Sequence, residues 1–211
     1  VDHDKILRQV QHLQKNIKHI CNTQKIQHTI TICAATKYAN SDETRSLYQA
    51  GLRVFGENRL QEALKKQEDL KDLGDIEWHY IGHIQSNKVK KITDNFRVIQ
   101  SIDSLDILRK INNYAVIIKK HVVGFVQINI GQDENKFGFK LEDVEKKQYE
   151  IFSLSNVKIK GIMIILPLTE NTEQRNIWFN QARELFQNLK EKYELTELSM
   201  GMSTDYEQAI N

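Results

Sequence analysis

The chain has 211 residues, is 40% hydrophobic and 27% charged, and carries a formal net charge of only +2. That is a core-forming composition without the basic excess of a nucleic-acid or anionic-membrane binder. Two cysteines, Cys21 and Cys33, make neither a disulfide framework nor the paired spacing of a zinc site, so a reduced, cytoplasmic protein is expected. The opening "VDHDKILRQVQHLQKNI" is too polar for a signal peptide, and no run approaches the roughly 18 apolar residues of a membrane helix.

In chain order, Ile6, Val10, Leu13, Ile17 and Ile20 recur at helical intervals and predict an amphipathic N-terminal helix. "TITICAATK" then reads as a strand, "DETRSLYQAG" as a helix stopped at Gly51, "RVFG" as a strand and "RLQEALKKQEDLKDLG" as a helix. "EWHYIG" and "SNKVKKITDN" form the third strand–helix pair, "RVIQSID" and "SLDILRKINNYAVII" the fourth, "GFVQINIG" and "LEDVEKKQYEIFSL" the fifth. "IKGIMIIL" precedes the long helix "TEQRNIWFNQARELFQNLKEKY", and "ELSMGMS" precedes "TDYEQAI". Strict alternation of strand and helix requires a parallel sheet covered by helices. The regularity favours a single-domain (β/α)8 TIM-type barrel over residues 1–211, with an extra N-terminal helix. No G-x-G-x-x-G follows a strand, so a dinucleotide-binding open sheet has no support. Seven strands are counted where a barrel of about 250 residues has eight. The eighth is expected beyond Asn211, leaving the first strand partly unpaired.

Barrel chemistry sits at the C-terminal ends of strands. Lys37 ends the first strand. Side chains alternate along a strand, so if Lys37 points inward, Ala35, Cys33 and Thr31 form a floor of small residues, while Ile30, Ile32 and Ala34 face helices. A lysine held over such a floor is a candidate nucleophile for a carbonyl; a merely solvated lysine is the alternative. In "LSMGMSTDYEQAI", Gly201 permits close backbone approach, Ser203 offers a hydroxyl, and Thr204 with Glu207 fits a capping box at a helix start suited to phosphate. Lys136, in the loop "DENKFGF", rivals Lys37. His79 and His83 are four apart, but Gly82 lies between them and they do not share a helix face; a core and a loop histidine are expected rather than a metal pair. Lys88, Lys90 and Lys91 read as a solvated helix face, Glu142–Lys146 and Asp143–Lys147 as ordinary helical ion pairs, and Cys33 as an inert core thiol.

Six motifs occur in order: "AATK", "FGENRLQEALKK", "WHYIGHIQSNKVKKI", "SIDSL", "VQINIGQDENKFGF" and "LSMGMSTDYEQAI". Together they resemble the pyridoxal phosphate homeostasis protein family, over Thr29 to Ile210. The resemblance implies a modified barrel like the alanine racemase N-terminal domain. It also implies pyridoxal 5′-phosphate (PLP) bound as a lysine aldimine without catalytic turnover, in storage, buffering or delivery of the cofactor. Carried over, Lys37 is the aldimine lysine, Asn58 lies near the pyridine ring and its 3′-oxygen, Met163 packs against the ring, and Gly201, Met202 and Ser203 meet the phosphate. The family's following segment, with an arginine for the ring nitrogen and the rest of the phosphate cradle, has no counterpart before Asn211. PLP and PLP-dependent apoenzymes are the implied partners, and a monomer is expected. A PLP-dependent amino-acid racemase is the alternative. It needs a second proton-transfer group on the opposite ring face, and no tyrosine here sits in a recognisable racemase motif.

Overall fold

The computed structural model describes residues 2–133 and 136–211. Glu134 and Asn135 of the quoted loop motif lie outside the described residues. The chain divides into two compact units: one runs to Gly82 and takes in Ile210–Asn211, the other is His83–Ala209.

In the first unit, α1 (His3–Thr23) starts at Asp2, whose side chain accepts from the Lys5 N–H. The strands β1 (Cys33–Ala35), β2 (Val54–Glu57) and β3 (Glu77–Tyr80) pair in parallel and in chain order, through Ala35↔Gly56 and Gly56↔His79. They alternate with α2 (Ser41–Gln49) and α3 (Leu60–Asp69). Asn40 closes a full capping box with Glu43, which fixes where α2 begins. Apolar residues in and just before β1 build the core with those of β2: Ile32 and Ala34 pack against Val10, Leu52 and Phe55, as their alternation predicts. Phe55 and Trp78 meet with ring centroids 5.7 Å apart.

The second unit carries a short 3₁₀ turn (Ser86–Lys88), α4 (Val89–Asn95), β4 (Val98–Ile102), α5 (Leu105–Ile117) and β5 (Val122–Ile128). Then come α6 (Leu141–Lys146), α7 (Gln148–Phe152), β6 (Val157–Ile164), α8 (Thr172–Tyr193), β7 (Glu197–Ser199) and α9 (Tyr206–Ile210), of which all but the last residue belongs to this unit. Strands β4 to β7 are parallel neighbours in chain order. β5 is flanked on both sides and is apolar along most of its length, as a parallel strand covered on both faces must be. The predicted alternation is present throughout. Several elements differ from expectation in their bounds: the first strand is three residues long rather than nine, the strand expected over 197–203 ends at Ser199, the helix expected over 59–74 ends at Asp69, the helix expected over 86–95 opens as a 3₁₀ turn, and the helix expected over 141–154 is two short helices that meet at Lys147.

Candidate functional site

In the first unit, the ladder between β1 and β2 continues one residue past Ala35, because the Thr36 N–H donates to the Gly56 carbonyl at 3.0 Å. The chain then turns, and the Ala39 N–H closes the turn onto the Thr36 carbonyl at 2.9 Å. Lys37 occupies this turn, half-buried. Its Nζ lies 5.2 Å from the centroid of the exposed Tyr38 ring and makes no hydrogen bond or ion pair among the described residues. The amine is thus open to a ligand. Below it, Cys33 lies on the face of Gly56: a Cβ at Gly56 would come 3.2 Å from the Cys33 Sγ. Burial, reinforced by the Glu77 carboxylate, pushes the Cys33 thiol up to about 12, so it stays protonated and inert. Ala35 is exposed, and Thr31 lies outside the strand, so the floor of small residues is shorter than the sequence implied.

Asn58 follows β2 and stands two residues past Gly56, as Lys37 stands two past its register partner Ala35. Its Oδ1 is enclosed and has no hydrogen-bond partner. A buried amide oxygen without a donor is costly unless something supplies one. A ring hydroxyl does so, and the amide can equally turn its NH₂ toward a ring oxygenate. Gly82 holds Asn58 from the side: a Cβ there would be 2.4 Å from the Asn58 carbonyl oxygen and 2.7 Å from its Cα. The open amine and the unfilled amide on neighbouring strand ends fit the aldehyde and the adjacent ring oxygen of PLP.

Behind these two residues is a buried polar cluster that sequence reasoning missed. The Thr36 Oγ1 donates to the Glu57 Oε1 at 2.5 Å, and the Lys66 Nζ donates to the same oxygen at 2.6 Å. Lys66 also donates to the Thr36 carbonyl at 2.5 Å. Glu57 is fully buried, and Lys66 is 6% exposed. The signal was present: Lys66 sits between Ala63 and Leu70 at helical spacing, a lysine in the buried stripe of α3.

In the second unit, Met163 ends up near the C-terminal end of β6, packed in a buried cluster with Val98 and Phe125. Its register partner on β7 is Ser199, whose hydroxyl donates to the Gln100 Oε1 at 2.7 Å. Gly201 has φ +88, a left-handed conformation, and a Cβ there would also come 2.8 Å from the Ala209 Cβ. Met202 and Ser203 are exposed. The predicted capping box of Thr204 with Glu207 is not formed. Instead the Asp205 carboxylate accepts from the Met202 N–H at 2.5 Å, and the Met202 carbonyl accepts from the N–H groups of Asp205 and Tyr206. The turn starts two residues earlier because the chain reverses at Gly201. Of the three residues expected at the phosphate, Met202 therefore has its N–H taken.

Lys136 donates to the Leu166 carbonyl at 3.2 Å, so the rival lysine is engaged where Lys37 is not. His79 is buried and hydrogen-bonded to Glu77 at 3.2 Å; burial pushes its pKa down against that carboxylate. His83 stacks on Phe137 at 3.5 Å and bonds Asp103 through Nδ1 at 3.0 Å. Among the described residues, no group of three or more His, Cys, Asp or Glu side chains could hold a metal ion. No helix there is long and apolar enough to cross a membrane. Lys146 and Lys147 pair with Glu142 and Asp143 at 3.1 and 3.4 Å.

The family model for the N-terminal domain of alanine racemase matches residues 7–211. Among solved structures, PipY of Synechococcus elongatus superposes with a TM-score of 0.82 at 34% identity, covering 92% of this chain and 93% of that one. The same protein with PLP bound gives 0.80 at 32% identity, covering 92% of each. The alanine racemase of Clostridium difficile 630 shares the fold, with a TM-score of 0.73 at 16% identity over 93% of this chain and 51% of that one. The fold class is therefore the alanine-racemase-type α/β barrel, with an added N-terminal helix. The pyridoxal phosphate homeostasis protein of Synechocystis sp. is 40% identical over 86% of this chain and 84% of its own length. Its counterpart in Aquifex aeolicus is 40% identical over 85% and 79%. The chain belongs to the pyridoxal phosphate homeostasis protein family.

Proposed function

We propose that the chain binds PLP and serves its intracellular homeostasis, by storage, buffering or delivery, without catalytic turnover. The carrying observation is the pairing of an open amine with an unfilled buried amide oxygen at adjacent strand ends, Lys37 and Asn58. Lys37 links covalently to the cofactor aldehyde, the amine condensing with loss of water, and Asn58 takes the adjacent ring oxygen. Met163 is assigned to the ring, and Gly201, Met202 and Ser203 to the phosphate. The supports are the relatives' common name and the PLP-bound form of PipY. Those relatives carry the name of a homeostasis protein, whereas the alanine racemase comparison supports the fold alone. On this reading the chain is one PLP-binding domain over residues 1–211, a cytoplasmic monomer whose partners are PLP and, in delivery, PLP-dependent apoenzymes.

The test is the visible spectrum of the purified protein with PLP, before and after borohydride. The parent should show a reducible band, Lys37→Ala should lose it, and Lys136→Ala should keep most of it. Peptide mapping that placed reduced cofactor on Lys136 alone would overturn the assignment. No sustained exchange of the alanine Cα proton in deuterated buffer is expected; exchange that disappears in Lys37→Ala would establish the racemase instead.

A further inference from the structure

We infer that Thr36, Glu57 and Lys66 form a positioning device that sets Lys37 and Asn58 from behind without touching the cofactor. The inference rests on the PLP reading for what those two residues hold, and on geometry alone for the rest. Along β2 the side chains alternate. Phe55 packs into the helix-facing core and Glu57 meets Lys66 of α3, so Gly56 and Asn58 face the other way, on the side of Cys33. Glu57 and Asn58 are thus consecutive residues on opposite faces. The cluster occupies the layer between strands and helix, directly behind the candidate site.

Its bonds converge on the peptide unit that carries Lys37. The Thr36 carbonyl belongs to the Thr36–Lys37 peptide and accepts from both the Lys66 Nζ, at 2.5 Å, and the Ala39 N–H, at 2.9 Å. The Thr36 hydroxyl is tied to Glu57, and the Thr36 N–H to Gly56. One residue later the chain has to present an amine at a defined place. The Glu57 backbone is fixed from the other side, its carbonyl accepting from the Ile81 N–H at 2.9 Å. A buried ion pair is a poor device for stability, since apolar side chains of equal volume serve as well or better. What it supplies is direction: two hydrogen-bonding strand ends locked in one mutual arrangement. The Glu57 Oε2 has no partner, so the carboxylate is held through one oxygen only and leans wholly on Thr36 and Lys66.

The experiment uses the full chain and four variants: Thr36→Val, Thr36→Ser, Lys66→Met, and the double Glu57→Gln/Lys66→Met. Lys66→Met alone strands a buried carboxylate and is expected to melt early; the double removes both charges and keeps the volume. PLP affinity is read by absorbance titration, and the linkage by the pH midpoint of its visible band. The turn over residues 36–40 is read by amide hydrogen exchange without PLP. Thr36→Val should weaken PLP about 3- to 10-fold, the worth of one hydrogen bond, and Thr36→Ser should restore it. The double should weaken PLP binding about tenfold or more, shift the band's pH midpoint, and exchange faster over 36–40, with the exchange of α1 unchanged. Parent-like affinity, midpoint and exchange in both Thr36→Val and the double would overturn the inference. So would affinity losses that merely track a general loss of apo-protein stability. If the parent shows no PLP band, the PLP reading falls, while exchange of the turn still decides whether the cluster positions it.

Discussion

Gly82→Ala offers a sharp test of how Asn58 is held. A Cβ at Gly82 would lie 2.4, 2.7 and 2.8 Å from the carbonyl oxygen, Cα and carbonyl carbon of Asn58. All three are backbone atoms, so no side-chain rotation relieves the contact. Restoring an ordinary separation of 3.4 Å to the oxygen requires an opening of about 1 Å between the ends of β2 and β3. Overpacking of this kind costs about 2–3 kcal/mol, which lowers the melting temperature of a chain this long by about 4–12 °C. If Asn58 takes the ring oxygen as proposed, its displacement should also raise the PLP dissociation constant about 3- to 10-fold. Gly74→Ala is the control, because a Cβ there meets nothing within 4 Å. It should melt at or slightly above the parent, through the reduced freedom of its unfolded chain. The assay is differential scanning fluorimetry with and without PLP, paired with absorbance titration. If Gly82→Ala melts with the parent and binds PLP equally, the packing of Asn58 against Gly82 does not position the site.

Three further outcomes follow from particular groups. Burial lowers the folded-state pKa of His79, with Glu77 only partly opposing. The unfolded chain therefore takes up this proton first, and stability should fall as pH drops below about 6.5 and level off below the folded pKa; melting curves should show this slope reduced in His79→Gln, and an unchanged slope would refute it. Cys21 and Cys33 are both half-buried, but the Cys33 thiol is held up at about 12, so in the native protein it should react more slowly than Cys21 with a disulfide reagent; equal rates would show that its thiol is not held protonated. Asp205→Ala, which frees the Met202 N–H, should cost about 1 kcal/mol, and Asp205→Asn, which keeps an acceptor, less than half of that; equal melting of all three proteins would show that the bond contributes nothing.

The fold was legible because its signal is periodic and repeated. Strand and helix periods alternate along the chain, and only a parallel sheet with helical connections satisfies that alternation. The ends of elements were not legible to the same degree, for physical reasons that differ from place to place. "TITICAATK" has strand propensity over its whole length, yet only Cys33–Ala35 is strand, because Val54 is where β2 begins to offer partners. A strand's length is set by its neighbour, and propensity knows nothing of the neighbour. The cap before α9 shows the same limit. Both Thr204 with Glu207 and Met202 with Asp205 are spaced three apart, and the choice falls to the left-handed turn at Gly201, which aims the Met202 N–H at Asp205.

The candidate site divides along the same line. Lys37 and Asn58 were readable as strand-end residues in matching motifs, and the structure leaves both with an unused polar group. Thr36, Glu57 and Lys66 were passed over because each has an ordinary reading alone: a strand-end hydroxyl, a motif glutamate, one lysine among several in "EALKKQ". Their meaning is three-dimensional. Sequence separations of 21, 9 and 30 residues close into one cluster only when parallel pairing brings the end of β1 beside the end of β2, under α3. The readable trace is a charge where burial is required, at Glu57 two residues past Phe55 on the same face of β2 and at Lys66 between Ala63 and Leu70. Two such charges of opposite sign, one on a buried strand and one on the helix that follows it, already imply that they meet. A charge buried alone would be untenable, so each one found in an apolar stripe predicts its partner.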